Sequence, residues 1–360
     1  MKFGTFHLLQ WHDGKSQAQV FKETVELVKL SEELGFDSVW LADHHFSRYG
    51  LGSSVLTIAS HLAAATTRLK IGTAVVVLPF YNPLTVAEVS ATVDNLSDGR
   101  LILGVGRGYQ WSEFHRHNVP FEESRERFDE ALDIIVRTWT EEELNYQGKF
   151  WQVNGAQVLP KPVQKPHPPI AVATLSADGF RNAARRGQSV ICGGSTGTVG
   201  GITQNLALYR ESLASAGFAY DPSSVIVSRP VYIGRSRDEA KATDGGERLS
   251  WFLEAQRRVA LPPADRWDLV PEKERPVIER LQMRSELTWD DAFNTMGISG
   301  SPDECIEQIR ELDGIVGGLE TLVCSFALGG FDLHKTAQAM ELFARDVMPR
   351  FAEAPVGSPA

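Results

Sequence analysis

The sequence predicts an α/β fold in a single domain, a (β/α)8 TIM barrel with insertions after strands four and seven. Three observations predict it. Eight short β-rich runs recur along the 360 residues, and most are followed by a longer pattern of helical period. Eight such units close naturally into a parallel barrel. No glycine fingerprint follows the first run, which passes into His7, Leu8, Leu9 and Gln10, whereas an open doubly wound sheet usually carries one there. Two long excursions fall after the fourth and seventh runs, where barrel enzymes collect the loops of their catalytic face.

The β-rich runs lie at 2–8, 38–42, 69–78, 101–106, 169–173, 189–192, 225–233 and 321–326. The first helix, over 16–34, places Val20, Phe21, Leu27, Val28 and Leu34 on one side, with Glu23, Glu26, Lys29 and Glu33 largely opposite. It stops at Gly35, the residue type that tolerates a left-handed helix end. Further helices are expected over 53–65, 84–96 and 122–139. The first excursion comprises 109–122 together with 146–165, on either side of a helix. The second spans 236–300, and its proline-rich part, 261–289, contains Pro262, Pro263, Pro271 and Pro276 among many charges. Two readings stand for it, a mobile lid over the site and an outer decoration without a catalytic role. The barrel domain is expected over 1–351, and the small, polar tail 352–360 is expected to fray.

Composition narrows the partners. A formal net charge of −10 and an isoelectric point near 5.5 argue against nucleic acid, whose binders carry a basic stripe to displace counterions. The opening MKFGTFHLLQ has no long apolar core of a secretory signal and resembles a strand. The greasiest run, 74–80, is far shorter than the ~20 residues of a membrane span. Cys192, Cys305 and Cys324 are odd in number and widely spaced, without CxxC, so no disulfide framework or zinc cluster is expected and a cytoplasmic setting fits best.

Chemistry concentrates after the strands. Asp43-His44-His45-Phe46 follows strand two. Adjacent residues on extended backbone point apart, and no third ligand stands at chelating spacing, so no metal site is expected. Histidine suits general acid/base work or a hydrogen bond to a developing anion; the plainer alternative is a pair of strand-end histidines satisfied by Asp43 and backbone. Gly104-Val105-Gly106-Arg107-Gly108-Tyr109 follows strand four but fails GxGxxG at Tyr109. Its glycines allow backbone to approach a flat ligand, and Arg107 offers a planar fork suited to phosphate. After strand five, Thr174 or Ser176 stands at the start of a helix, where free amides favour an anion, although ordinary capping accounts for the serine equally well. After strand six, Gly193 and Gly194 again allow close approach of backbone to a ligand.

MKFGTF, Glu32-Glu33-Leu34-Gly35-Phe36-Asp37-Ser38-Val39-Trp40-Leu41, His44-His45-Phe46, Gly300-Ser301-Pro302-Asp303-Glu304-Cys305-Ile306 and Asp346-Val347-Met348-Pro349 together resemble bacterial luciferase and its related flavin-dependent monooxygenases over nearly the whole chain. The resemblance implies flavin mononucleotide (FMN) at the C-terminal ends of the strands, its phosphate on Arg107, Ser176 and backbone amides near Ala177. Gly106 and Leu175 would lie beside the ring or ribityl chain, and a non-prolyl cis peptide at Ala74-Val75 beneath the ring. It further implies that reduced FMN, delivered by a separate and transient flavin reductase, reacts with O2 through a C4a-hydroperoxide to oxygenate a small organic substrate, with His44 assisting and His45 supporting. Gly106 stands where the light-emitting luciferase subunit has a reactive cysteine, so light emission is not expected. Phe6, Phe46, Tyr109, Trp111, Trp251 and Phe252 are candidates to line an apolar substrate pocket, although some of these aromatics belong to the core. Two alternatives accompany this reading. One is an F420-dependent hydride-transfer enzyme, whose strand-two motif typically has one histidine directly before an aromatic. The other is a non-catalytic flavin-binding protein, against which the retained His44 and the near-complete strand count speak. Small residues at 63–65 and the 84–96 helix suggest a homodimer.

Overall fold

The computed structural model describes residues 1–194, 197–242, 245–260, 267, 268, 270, 272, 275, 287–330 and 332–352. Eight parallel strands close a barrel in chain order: Lys2–His7, Ser38–Leu41, Lys70–Thr73 with its continuation Val76–Val77, Leu101–Gly106, Ile170–Ala173, Ser189–Gly193, Val225–Ile233 and Thr321–Ser325. The eighth strand returns to the first, with Thr5 opposite Cys324 on one side and Val39 on the other.

The period of two sorts each strand's residues. In strand two, Val39 and Leu41 face outward into the core shared with the helices, while Trp40 faces the barrel interior with Phe6, Ala171, Ile191, Ile226 and Val323. Trp40 fits because its neighbours lack side chains: a Cβ on Gly72 would lie 2.3 Å from its ring, and one on Gly4 2.9 Å from its Nε1. Its indole N–H donates to Ser38 Oγ at 2.9 Å, so the large side chain is buried without an unpaired donor.

The helices follow the expected pattern. Gln17–Glu33 is capped by Ser16, whose hydroxyl accepts from the Gln19 amide, and Gly35 follows at φ 88°. Val55–Ala65, Pro83–Leu96 and Ser124–Thr140 correspond to the next three expected helices. Three features differ from the sequence reading. Strand three is interrupted: Gly72 pairs with Ile102 but Val76 with Val105, so it carries one residue more than its partner; the Ala74–Val75 peptide within the interruption is cis, as the resemblance implies. The excursion after strand four contains the short helix Trp111–Arg116 and an antiparallel hairpin, Leu144–Gln147 with Gln152–Ala156. A further strand, Ile298–Gly300, pairs with strand seven outside the barrel. It covers Val231–Ile233, the end of the nine-residue strand seven that runs past its pairings with strands six and eight.

Of the second excursion, the helix Gly245–Ala260 is placed over the barrel mouth, where Leu249, Phe252 and Leu253 pack with Leu8, Ala42 and Tyr49. The segment 261–289 lies mostly outside the described residues, as does 353–360. Downstream, Ser301 begins helix Pro302–Val316 with a reciprocal capping box to Glu304 and a proline in the first turn. Ser301→Ala removes one half of that box. The expected cost is about 1 kcal/mol, a fall in Tm of about 1 °C for a chain of this size, readable by differential scanning calorimetry.

Candidate active site

A cavity of about 300 Å³ opens at the C-terminal ends of the strands, with Phe6, Trp40 and Val323 from the barrel interior contributing to its wall. It receives residues from the loops after strands two to six, as barrel sites do.

His44 lines this cavity. Its Nδ1 lies 3.1 Å from Glu113 Oε1, and the same oxygen accepts the His45 backbone N–H at 2.8 Å. Glu113 is buried on the helix Trp111–Arg116. A carboxylate only accepts, so Nδ1 carries the proton and Nε2 of the neutral ring is left as the basic nitrogen. Tyr49 meets the imidazole edge-on at 4.7 Å between centroids. Gly50 lies close behind it: a Cβ there would lie 3.2 Å from His44 Cβ and 2.7 Å from the Leu8 carbonyl, so a larger residue would crowd His44.

His45 belongs to a different network and lies outside the cavity lining. Its Nε2 is 3.0 Å from Asp43 Oδ1 and 3.0 Å from the Tyr81 hydroxyl. Tyr81 donates to Asp43, whose Oδ2 also accepts the Val77 amide at 3.1 Å. The neighbouring carboxylate proposed for the pair thus serves His45, while His44 takes one 69 residues away. Burial lowers the His45 pKa, but the Asp43 hydrogen bond and the charges of Asp43 and Glu113 outweigh it, and the net direction is upward from 6.5. A histidine raised in the folded state stabilises it fully below its unfolded pKa, and the contribution is lost as pH rises through the folded value. The Tm deficit of His45→Gln relative to wild type is therefore expected to be larger at about pH 5.5 than at about pH 8.5. In an Asp43→Asn background the low-pH excess should disappear or reverse, because burial then acts against only the Glu113 charge.

The cavity also has a cationic end. Arg107 lines it and donates from Nη1 to Ser124 Oγ at 3.2 Å, its guanidinium 5.4 Å from the Phe121 ring centroid. Ser176 caps the helix Ala177–Arg185, its hydroxyl accepting the Gly179 amide at 3.2 Å. Arg125 and Arg186 also line this end; Arg186 pairs with Asp129 at 3.2 Å. Burial raises the Asp129 carboxyl, and the two arginines offset this only in part. Gly193 holds φ 87°, and a Cβ there would meet the Ser228 carbonyl at 2.5 Å. Ala74, Val75, Gly106, Ala173 and Leu175 add a largely apolar stretch of the wall. A Cβ on Gly106 would strike Val75 Cγ2 at 2.7 Å, so any larger residue would push into this wall.

Of the residues singled out in the sequence, His44, Ala74, Val75, Gly106, Arg107, Leu175, Ser176, Gly193, Gly194, Phe6 and Tyr109 line one cavity. Ala177 is the first residue of the helix behind Ser176. Phe46 is 57% exposed at φ 57°, Trp111 stacks on His115, Trp251 packs at a tilt against His12, and Phe252 is core; none of these four lines the cavity. Sequence reasoning missed Glu113, Tyr49, Gln110, Gln256, Arg125 and Arg186. Cys192 reaches the cavity, but burial pushes its thiol up to about 12, which keeps it protonated near neutrality. Among the described residues no helix is long and apolar enough to cross a membrane, and no three His, Cys, Asp or Glu side chains form a metal-holding group.

The family model described as luciferase-like monooxygenase matches residues 1–317. The monooxygenase RslO1 from Streptomyces bottropensis superposes with a TM-score of 0.77 at 30% identity, covering 98% of this chain and 100% of its own. The oxygenating constituent of 3,6-diketocamphane monooxygenase from Pseudomonas putida, a type II Baeyer-Villiger monooxygenase solved in complex with FMN, gives a TM-score of 0.77 at 20% identity over 97% and 98% of the two chains. The coenzyme F420-dependent tetrahydromethanopterin reductase from Methanopyrus kandleri shares the fold, with a TM-score of 0.72 at 20% identity over 98% and 99%.

Proposed function

The chain belongs to the luciferase-like monooxygenase family, and from that premise we propose that it binds reduced FMN and uses O2 to oxygenate a small organic substrate. The observation that carries this reading is one cavity lined by an apolar stretch, by arginines beside a helix N-terminus and by the buried His44–Glu113 pair. The donor set fits a phosphorylated flavin. Arg107, the Ser176 hydroxyl and the amides around Ala177 would hold the phosphate, Gly193 and Gly194 would let backbone approach it, and Ala74, Val75, Gly106 and Leu175 would flank the ring.

When bound, reduced FMN supplies the electron pair with which one atom of O2 enters the substrate and the other leaves as water. The chain's own residues do the rest. Glu113 fixes the His44 tautomer, and His44 Nε2 takes or returns a proton beside the reacting centre. Phe6, Trp40, Val75 and Leu175 keep bulk water from the site. His45 supports by donating its backbone N–H to Glu113. A separate flavin reductase supplies the reduced cofactor in the cytoplasm, and a homodimer forms through the helices Val55–Ala65 and Pro83–Leu96.

The reading is tested by mixing reduced FMN with oxygenated buffer, with and without excess protein, and following release of hydrogen peroxide. Shielding by the cavity predicts a marked delay in release. Release at the rate of free reduced FMN would overturn the proposal.

A further inference from the structure

Beside the cavity lies a buried acceptor that the His44–Glu113 machinery does not use. Gln110 lines the cavity, is only 1% exposed, and has an Oε1 without a hydrogen-bond partner. Its Nε2 is directed to the Tyr109 hydroxyl at 3.5 Å. Tyr109 also belongs to a relay of side chains. The Gln256 amide hydrogen-bonds Tyr49, and Tyr49 in turn hydrogen-bonds Tyr109. Gln110 presents its NH2 to the Tyr109 oxygen, and its carbonyl oxygen is the atom left bare. A buried acceptor left unpaired costs about 1–3 kcal/mol, and such groups in folded proteins call for a partner.

Placement says which partner. Gln110 stands at the N-cap position of the helix Trp111–Arg116, and its carbonyl accepts the Glu113 amide at 3.1 Å. The bare oxygen and the carboxylate that orients His44 thus come from one turn of one helix. Phe6, Trp40, Tyr49 and Tyr109 line the same cavity, surfaces suited to a ring. We infer that the substrate is a ring compound carrying a hydroxyl or N–H group, which it donates to Gln110 Oε1, and not a purely apolar molecule. This rests on the monooxygenase reading of the same cavity and adds the substrate class to it. A site built to hydrogen-bond a substrate O–H discriminates strongly against the analogue lacking it, because its polar group is then left unpaired.

The test is a calorimetric titration of the FMN-loaded and FMN-free protein with p-cresol and with toluene, which differ only in the hydroxyl. Transfer from water alone favours toluene, so tighter binding of p-cresol reads the hydrogen bond. The expected result is p-cresol binding at least about 10-fold tighter than toluene, with the preference abolished in Gln110→Met and FMN affinity unchanged. Equal or weaker binding of p-cresol by the wild type, no saturable binding of either compound, or a preference that survives Gln110→Met would overturn the inference. So would a loss of FMN affinity in Gln110→Met, which would give the acceptor to the cofactor instead. Failure of the wild type to bind FMN overturns the monooxygenase reading itself, whereas FMN binding without discrimination between the two rings overturns the substrate class alone.

Discussion

His44→Ala is expected to lower product formation by about 10²–10⁴-fold while reduced FMN is still consumed, its oxidation diverted to hydrogen peroxide. The reason is the position of the ring. His44 is the histidine that reaches the cavity, and its Nδ1 is committed to Glu113 at 3.1 Å, which leaves Nε2 to exchange a proton with the reacting groups. Alanine removes that nitrogen without touching the arginine end, so FMN affinity should change little. The assay is product formed per reduced FMN oxidised. Glu113→Leu gives a second view of the same pair. It leaves the His44 Nδ1 and the His45 amide without their acceptor, so the imidazole loses its fixed tautomer and the pH profile of turnover should shift. Glu113→Gln keeps an acceptor oxygen and should restore much of the activity. A His44→Ala variant with wild-type yield of product would remove His44 from the chemistry.

Arg107→Ala is expected to weaken binding of reduced FMN by about 10–100-fold, the range of a charge-assisted hydrogen bond worth about 1.5–3 kcal/mol. Arg107 also packs on Phe121 and donates to Ser124, so a structural effect must be separated from loss of a phosphate contact. Riboflavin makes the separation, because it has the same ring and no phosphate. A specific phosphate role predicts that riboflavin affinity is unchanged, whereas general damage to the site would weaken both ligands alike. Arg107→Lys keeps the charge but loses the planar fork, and should fall between the two.

The architecture was legible because it rests on local, repeated signals. The apolar side of 16–34 and the glycine stop at Gly35 specify an element from a few adjacent residues, and the helix Gln17–Glu33 forms accordingly. The extra strand Ile298–Gly300 was not legible, because a three-residue strand has no measurable period and exists only to cover the overhang of strand seven. The hairpin 144–156 alternates too weakly to separate from loop. At the site, Gly106, Arg107 and Ser176 could be proposed because each follows a recognisable strand. Glu113 could not: its partner is 69 residues away, and WSEFH reads as any short amphipathic turn. Gln110 was hidden for the same reason, since an unpaired buried amide is a property of the packed chain and not of the sequence around it.

The most direct test is anaerobic titration of the purified protein with reduced FMN and, separately, with reduced F420. The account predicts saturable, tight binding of reduced FMN, weakened by Arg107→Ala, and much weaker binding of F420. Preferential binding of F420 would contradict it and assign the cavity to hydride transfer without oxygen.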